Sequence, residues 1–293
     1  MTVEERTDAA GGRLPQPENA PGHASVMAQA ATENFPVASR ILPRAQRDHL
    51  RAIYGFARLV DDAGDESPGD RLALLDWLGA DVDRLFGGGR PEHPIVRALE
   101  PAVRACGLEP RPFRRLIEAN RRDQRQARYE SFDDLLDYCR LSAAPVGELV
   151  LAVFGKATPE RIELSDRICA GLQVTEHLQD VAEDHARGRV YLPREDMERF
   201  GCEDADLAAA KPSPTFRELM AFEVRRARKL LAAGAPLVRT LPARPRLAVA
   251  AFVAGGRAAL AALEGAGYDV LGSAPRPSRP AFATELVRTV MRR

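Results

Sequence analysis

From residue 44 onward the apolar residues recur with the three-to-four-residue period of an α-helix, and the strict alternation of a half-buried strand is scarce. Segments 44–65, 71–86, 131–154, 158–185, 214–240 and 244–264 are long, rich in Ala, Leu and Arg, and divided by Pro or Gly. Such residues cost little in a helix, while Pro and Gly end one. Ser213 or Thr215 is placed to cap the helix through "FRELMAFEVRRARKLLAAG", with Gly234 near its end. Pro145-Val146-Gly147 interrupts a helical stretch, which predicts a kink and backbone groups freed toward whatever lies opposite. No linker divides residues 30–285. The pattern predicts one all-α domain over residues 28–293. Residues 1–27, acidic and rich in Pro and Gly, lack the basic start and apolar stretch of a signal peptide and read as a disordered tail.

Two of the helical segments carry acids where an apolar helix has least use for them. "RLVDDAGDE", 58–66, packs four into nine positions, and "LQDVAED", 178–184, repeats the habit. At about 100° per residue, Tyr54, Arg58, Asp61 and Asp65 fall within roughly 60° of one another, and Gln173, Glu176, Asp180 and Asp184 within roughly 80°. Ile53, Phe56, Leu59 and Val60 occupy the other face of the first helix; Ile168, Leu172, Val174, Leu178 and Val181 flank the second stripe. Each polar stripe is therefore predicted to face a concavity rather than bulk water. Carboxylates one turn apart repel, and burying them unpartnered costs several kcal/mol. A divalent cation removes that cost: Mg²⁺ takes oxygen ligands, using one or two carboxylates with substrate phosphates. A solvated helix face explains one such cluster as well, but two in-phase clusters inside apolar helices less so. "RGRVYLP", 187–193, follows the second cluster, so Arg187, Arg189 and Tyr191 are placed to neutralise phosphate oxygens or to complement the helix dipole.

Other chemistries find little support. Forty-two acids balance 42 bases in 293 residues, without the basic excess of a nucleic-acid binder; the dense basic stretch is "NRRDQRQAR", 120–128. Cys106, Cys139, Cys169 and Cys202 form no C-x-x-C pair and read as buried free thiols, which suits a reducing cytoplasm. "GGGRPEHP", 87–94, lacks the Lys-Ser/Thr of a nucleotide loop and reads as a turn. His23, His49, His93, His177 and His185 show no metal-ligand spacing and read as structural or surface residues. "LAVAAFVAGGRAALAAL", 247–263, falls short of the roughly 20 apolar residues of a membrane span and contains Arg257, so a buried core helix is predicted.

"NFPVASRILP…AIYGFARLVDDAGDE", "YCRLSAAPVGELVL" and "LQVTEHLQDVAEDHARGRVYLP" together resemble the squalene/phytoene synthase family of head-to-head prenyl synthases, from about residue 30 to 285. "ENFPVAS", "YCRLSAAPVG" and "LQDV" are most similar to its bacterial hydroxysqualene synthase branch, in hopanoid biosynthesis. The resemblance implies the all-α, single-domain isoprenoid synthase fold, with helices around a central cavity. It also implies that Asp61, Asp65, Asp180 and Asp184 bind Mg²⁺. Tyr54, Arg58, Gln173, Arg189 and Tyr191 match residues that bind or orient the diphosphate, and Asn34 and Phe35 the start of the substrate-contacting segment. Tyr138, Ala143, Val146 and Gly147 match a kinked helix beside the reacting carbons. Four positions depart: Glu176 and His177 stand for Asn and an aromatic, Gln179 for Arg, and Glu148 for Arg. Two fewer cations suit an enzyme handling one diphosphate rather than two.

The implied reaction converts presqualene diphosphate and water to hydroxysqualene and diphosphate, with Phe35, Val146 and Phe56 as unreactive walls and Tyr138 or Glu176 as candidate bases. A condensing synthase making presqualene diphosphate or phytoene is the near alternative, and a non-catalytic assembly protein a distant one. The expected partners are a prenyl diphosphate and other enzymes of squalene and hopanoid synthesis. The expected location is the cytoplasm, with transient contact at the inner face of the membrane because the substrate is apolar. "FATELVRTVMRR", 282–293, is either an amphipathic contact for that purpose or a final helix packed on the bundle.

Overall fold

The computed structural model describes residues 20–22 and 41–291. Its regular structure is helical apart from an isolated bridge between Arg128 and Val190. In chain order the described helices are α1 (Arg44–Asp65), α2 (Arg71–Phe86), α3 (Pro94–Ala98), α4 (Glu100–Cys106), α5 (Pro110–Asp123), α6 (Phe132–Ser142), α7 (Ala144–Val153) and α8 (Pro159–Gln179). They continue as α9 (Val181–Ala186), α10 (Arg194–Phe200), α11 (Asp204–Leu207), α12 (Pro214–Gly234), α13 (Leu237–Thr240), α14 (Ala243–Gly265) and α15 (Arg279–Met291).

Local chemistry sets these boundaries. Asp70, Ser131, Thr158 and Ser213 each accept a hydrogen bond from a backbone N–H in the first turn of α2, α6, α8 and α12, which satisfies a donor that has no intrahelical partner. Of the two residues proposed as cap of α12, Ser213 takes the role. Three of the long segments are divided, the first at the interruption expected around Pro145. The 131–154 segment breaks at Ala143 (φ −111°, ψ −45°), two residues before Pro145, because proline fits the first turn of the new helix α7. The 158–185 segment breaks at Asp180 (φ −104°, ψ 14°), and 214–240 ends at Gly234, before Pro236.

α8 runs through the centre and packs along α12, with α7, α6 and α14 also against it. Ile53, Phe56, Leu59 and Val60 of α1 and Val174 and Leu178 of α8 are buried in one continuous apolar core. α14 is longer than the apolar stretch suggested. Its 23 residues, with a mean hydropathy of 1.6 over the most apolar 18, suffice by length and composition to cross a membrane, and half of that stretch is buried in the bundle. Arg257 within it donates to Thr289 Oγ1 of α15 at 2.9 Å, and Arg246 Nη2 to the Val290 carbonyl at 2.8 Å, which docks α15 on α14. Of the segment expected to be a tail, residues 20–22 are described: Ala20 packs on the core and the Pro21 carbonyl lies 3.1 Å from His93 Nε2. The four cysteines are free thiols.

Candidate active site

The first polar stripe is built on α1, and it divides by function within two turns. Asp62 and Glu66, a quarter-turn from Asp61 and Asp65, take Arg58: its Nε lies 2.7 Å from Asp62 Oδ1 and its Nη2 3.2 Å from Glu66 Oε1. Asp61 faces the interior cavity and accepts from Asn120 Nδ2 of α5 at 3.1 Å. The two helices approach this closely because Gly64 lacks a side chain: a Cβ there would run into the Asn120 amide. Gln124 Nε2 then donates to the Gly64 carbonyl at 3.0 Å.

The second stripe runs down α8 and turns a corner at Asp180. The Asp184 N–H reaches the Asp180 carbonyl at 2.8 Å, and the Arg189 N–H reaches the Asp184 carbonyl at 2.8 Å. This folds the segment after α8 back so that Arg189 Nη2 lies 2.6 Å from Asp65 Oδ1. That ion pair ties the end of the second stripe to the end of the first. Beside it, Tyr191 stacks on His177 with ring centres 3.7 Å apart and on Tyr129 at 5.5 Å. Tyr138 and Tyr191 both donate to Asp123, at 2.6 and 3.5 Å. His177 Nε2 lies 3.3 Å from Gln173 Nε2 and its Nδ1 3.8 Å from Asp184. Burial holds its pKa below the ordinary value, which favours the neutral ring.

Below the acids opens a cavity of about 260 Å³. Tyr54, Asp61, Gln173 and Glu176 line its polar end, and Leu50, Ile53, Val146, Val150, Leu172, Val249 and Phe252 its walls. Gly147 lets α7 press against α8, since a Cβ there would collide with Ser165 and Cys169. Burial pushes the Cys139 and Cys169 thiols up to about 12, so neither is a nucleophile at neutral pH.

Burial makes ionising these acids costly. Burial, with repulsion from Asp65 and Asp123, raises Asp61 to about 7 against the help of Asn120 and Arg58. Burial raises Asp123 to about 6 despite its tyrosine donors, and burial with repulsion from Asp184 and Glu183 raises Asp180 to about 6. An all-oxygen donor set short of positive charge fits Mg²⁺. Among the described residues no three carboxylate, His or Cys side chains converge as a preformed cage. Pairs of carboxylates are what an ion shared with substrate phosphates requires.

A pH prediction follows. A carboxyl whose pKa is raised on folding binds its proton more tightly in the folded state. Stability therefore falls as pH rises from about 4 through the 6–7 window of Asp123, Asp180 and Asp61. Mg²⁺ with inorganic diphosphate relieves this repulsion, so it is expected to raise the melting temperature more at pH 7.5 than at pH 5.5, read by scanning fluorimetry. Equal shifts at both pH values would count against the assignment. Glu223, raised to about 8 by burial beside Asp196, adds to the same decline but does not respond to Mg²⁺.

Most residues singled out in the sequence come together here: Tyr54, Asp61, Val146, Gly147, Gln173 and Glu176 at the cavity, Asp65, Arg189 and Tyr191 beside it, and Asp180 and Asp184 at the corner after α8. Asn34 and Phe35 lie outside the described residues. Tyr138 does not line the cavity. Its hydroxyl donates to Asp123, and burial holds its pKa well above that of an ordinary tyrosine, the state of a proton donor rather than a base. Phe56 is 0% exposed and packs edge-on against Phe113, so it belongs to the core; Phe252 is the aromatic wall. Glu148 pairs with Arg115 at 3.3 Å, and Gln179 donates to the Pro275 carbonyl at 3.1 Å. Neither substitution therefore removes a cation from the cavity. Asn120, Asp123 and Gln124 were not anticipated; their i, i+3, i+4 spacing at the end of an amphipathic helix was the available signal.

Residues 28–282 match the sequence model of the squalene/phytoene synthase family. The chain is 38% identical over 206 residues to a hydroxysqualene synthase of Rhodopseudomonas palustris and 39% over 210 to one of Sinorhizobium fredii, each alignment covering 70% of both chains. It is 34% identical over 212 residues to a phytoene synthase of Arthrospira platensis, covering 67% of this chain and 68% of that one. Among solved structures, squalene synthase HpnC from Alicyclobacillus acidocaldarius superposes with a TM-score of 0.78 at 43% identity, over 84% of this chain and 94% of that one. A dehydrosqualene synthase in complex with ligand superposes at 0.83 with 23% identity, over 91% and 94%, a likeness of fold.

Proposed function

Because the chain belongs to the squalene/phytoene synthase family, we propose that it ionises presqualene diphosphate with the help of Mg²⁺ and lets water capture the cation, giving hydroxysqualene and diphosphate. Membership itself makes it a prenyl-diphosphate enzyme with the all-α isoprenoid synthase fold. The observation that carries the finer reading is the cavity: apolar walls of hydrocarbon dimensions, closed at one end by polar and acidic side chains from two facing helices. A substrate with a charged head and a long apolar tail fits that division.

Asp61 with Asp65, and Asp180 with Asp184, would hold Mg²⁺, which when bound supplies Lewis-acid stabilisation of the charge gathering on the leaving diphosphate. Arg189, already turned inward by Asp65, exchanges that carboxylate for phosphate oxygens. Tyr191 is fixed by the His177 stack and Tyr138 by Asp123, so both keep their orientation as the head group arrives. Ile53, Val146, Leu172 and Phe252 offer the cation no nucleophile, and the Phe252 face adds cation–π stabilisation.

The hydroxysqualene synthases of R. palustris and S. fredii support this product. The phytoene synthase of A. platensis keeps head-to-head condensation of two prenyl diphosphates as the second reading. Mass spectrometry of products from presqualene, farnesyl and geranylgeranyl diphosphates, each with Mg²⁺ and without a nicotinamide reductant, separates them. The expected result is a C30 alcohol from presqualene diphosphate. A C30 or C40 product from the shorter diphosphates alone would favour condensation. Mg²⁺-dependent diphosphate binding with no product would favour an assembly role.

A further inference from the structure

The cavity holds one polar group that the diphosphate chemistry leaves without a task. Ser142 lines it, and its hydroxyl is enclosed with no hydrogen-bond partner among the described residues. A buried unpaired hydroxyl costs roughly 1–3 kcal/mol, so its retention calls for an occupant that pairs with it. Its position is defined by α6. Tyr138, one turn earlier, reaches the acid cluster through Asp123, and Val146 and Gly147 lie on the next helix, deeper along the cavity. Ser142 therefore lines the cavity one helical turn along α6 from the tyrosine that meets Asp123.

The neighbourhood suits a single water. α6 ends at Ser142, and Pro145 has no N–H to give the Leu141 carbonyl four residues before it. The facing walls, Ile53, Val150 and Leu172, are apolar. Ser165, the other cavity hydroxyl, is directed at Cys169 Sγ at 4.0 Å and pressed against Gly147. A change of χ1 rotamer would turn the Ser142 hydroxyl toward the cavity that the residue lines.

We propose that Ser142 is the positioning residue that holds the capturing water, and so decides that the cation ends as an alcohol rather than an alkene. The inference rests on the water-capture reading above. The carbon–oxygen bond to diphosphate breaks and its electron pair leaves with the diphosphate. The cyclopropylcarbinyl cation rearranges and a carbon–carbon bond of its three-membered ring breaks as the water, with one hydrogen on Ser142 Oγ, gives a lone pair to it and forms the new carbon–oxygen bond. The proton it loses passes to a diphosphate oxygen. No oxidant or reductant is needed.

The test uses Ser142→Thr and Ser142→Val, which have the same shape and differ in the hydroxyl, with Ser142→Ala to remove it without added bulk. Each enzyme is given presqualene diphosphate in ¹⁸O-labelled water, and labelled alcohol is counted per diphosphate released. The wild type and Ser142→Thr are expected to give labelled alcohol. Ser142→Val and Ser142→Ala are expected to give at least ~10-fold less alcohol per diphosphate, with hydrocarbon in its place, the discrimination of about one hydrogen bond. An unchanged ratio in Ser142→Val and Ser142→Ala, or an equal loss in Ser142→Thr, overturns the role of Ser142 while wild-type alcohol keeps the water-capture reading intact. A wild type that releases diphosphate without alcohol overturns both.

Discussion

Asp61→Asn and Asp180→Asn are each expected to lower diphosphate release by about 10²–10³-fold, the loss typical when one electrostatic stabiliser of a developing anion is removed. The substitution keeps shape and an acceptor oxygen, so Asn120 retains its bond to position 61, and only the charge is lost. Both aspartates have pKa values raised by burial and by neighbouring acids. The folded protein therefore bears a cost for ionising them at neutral pH that the amides do not. Activity and stability should move in opposite directions: each variant is expected to melt at or above the wild-type temperature without metal, and to lose the Mg²⁺ shift. The double variant should fall short of the product of the two single losses, because the carboxylate pairs act on one leaving group. Wild-type rates in both single variants would remove the acids from the chemistry.

The acid stripes were legible because a helix converts spacing into direction with nothing else needed. Tyr54, Arg58, Asp61 and Asp65 share a face by arithmetic alone. What arithmetic does not give is the partner across the gap. Asp65 meets Arg189 over 124 positions of chain, through a corner at Asp180 that breaks the very helix whose phase was being read. The face of α5 was hidden differently. Asn120, Asp123 and Gln124 alternate with Arg121, Arg122 and Arg125, so a count of charge sees a basic stretch while the side chains divide. Asn120 and Asp123 turn to the site, and Arg121 and Arg122 pair outward with Asp76 and Asp134. Glu148 shows the opposite failure. A charge reversal beside Gly147 looks decisive in sequence, yet one residue is about 100° of helix, enough to carry it out of the cavity to Arg115.

The stripe on α8 also depends on a contact far from any acid. α8, α12 and α14 meet where Gly171, Gly234 and Gly256 allow it, with Leu231 between them. At Gly234 the neighbours are the Ile168 side chain and, beside it, backbone. A Cβ would lie 2.6 Å from the Leu164 carbonyl oxygen and 2.9 Å from the Ile168 amide nitrogen of α8, atoms that no rotamer change can withdraw. Gly234→Ala must separate two helices, and overpacking of this kind typically costs about 1–3 kcal/mol. In a chain of this size that is expected to lower the melting temperature by several degrees. Gly265→Ala is the matched control, because a Cβ there meets nothing within 4 Å and alanine is the better helix former. It should melt at or above the wild type. The separation has a functional consequence because α8 presents Ile168, Leu172, Gln173 and Glu176 to the cavity. A displaced α8 moves the tail wall and the head-group residues together. Gly234→Ala is thus expected to raise the KM for the prenyl diphosphate as well as lower stability, whereas a variant that melts and binds as the wild type would show that this helix contact does not hold the site in place.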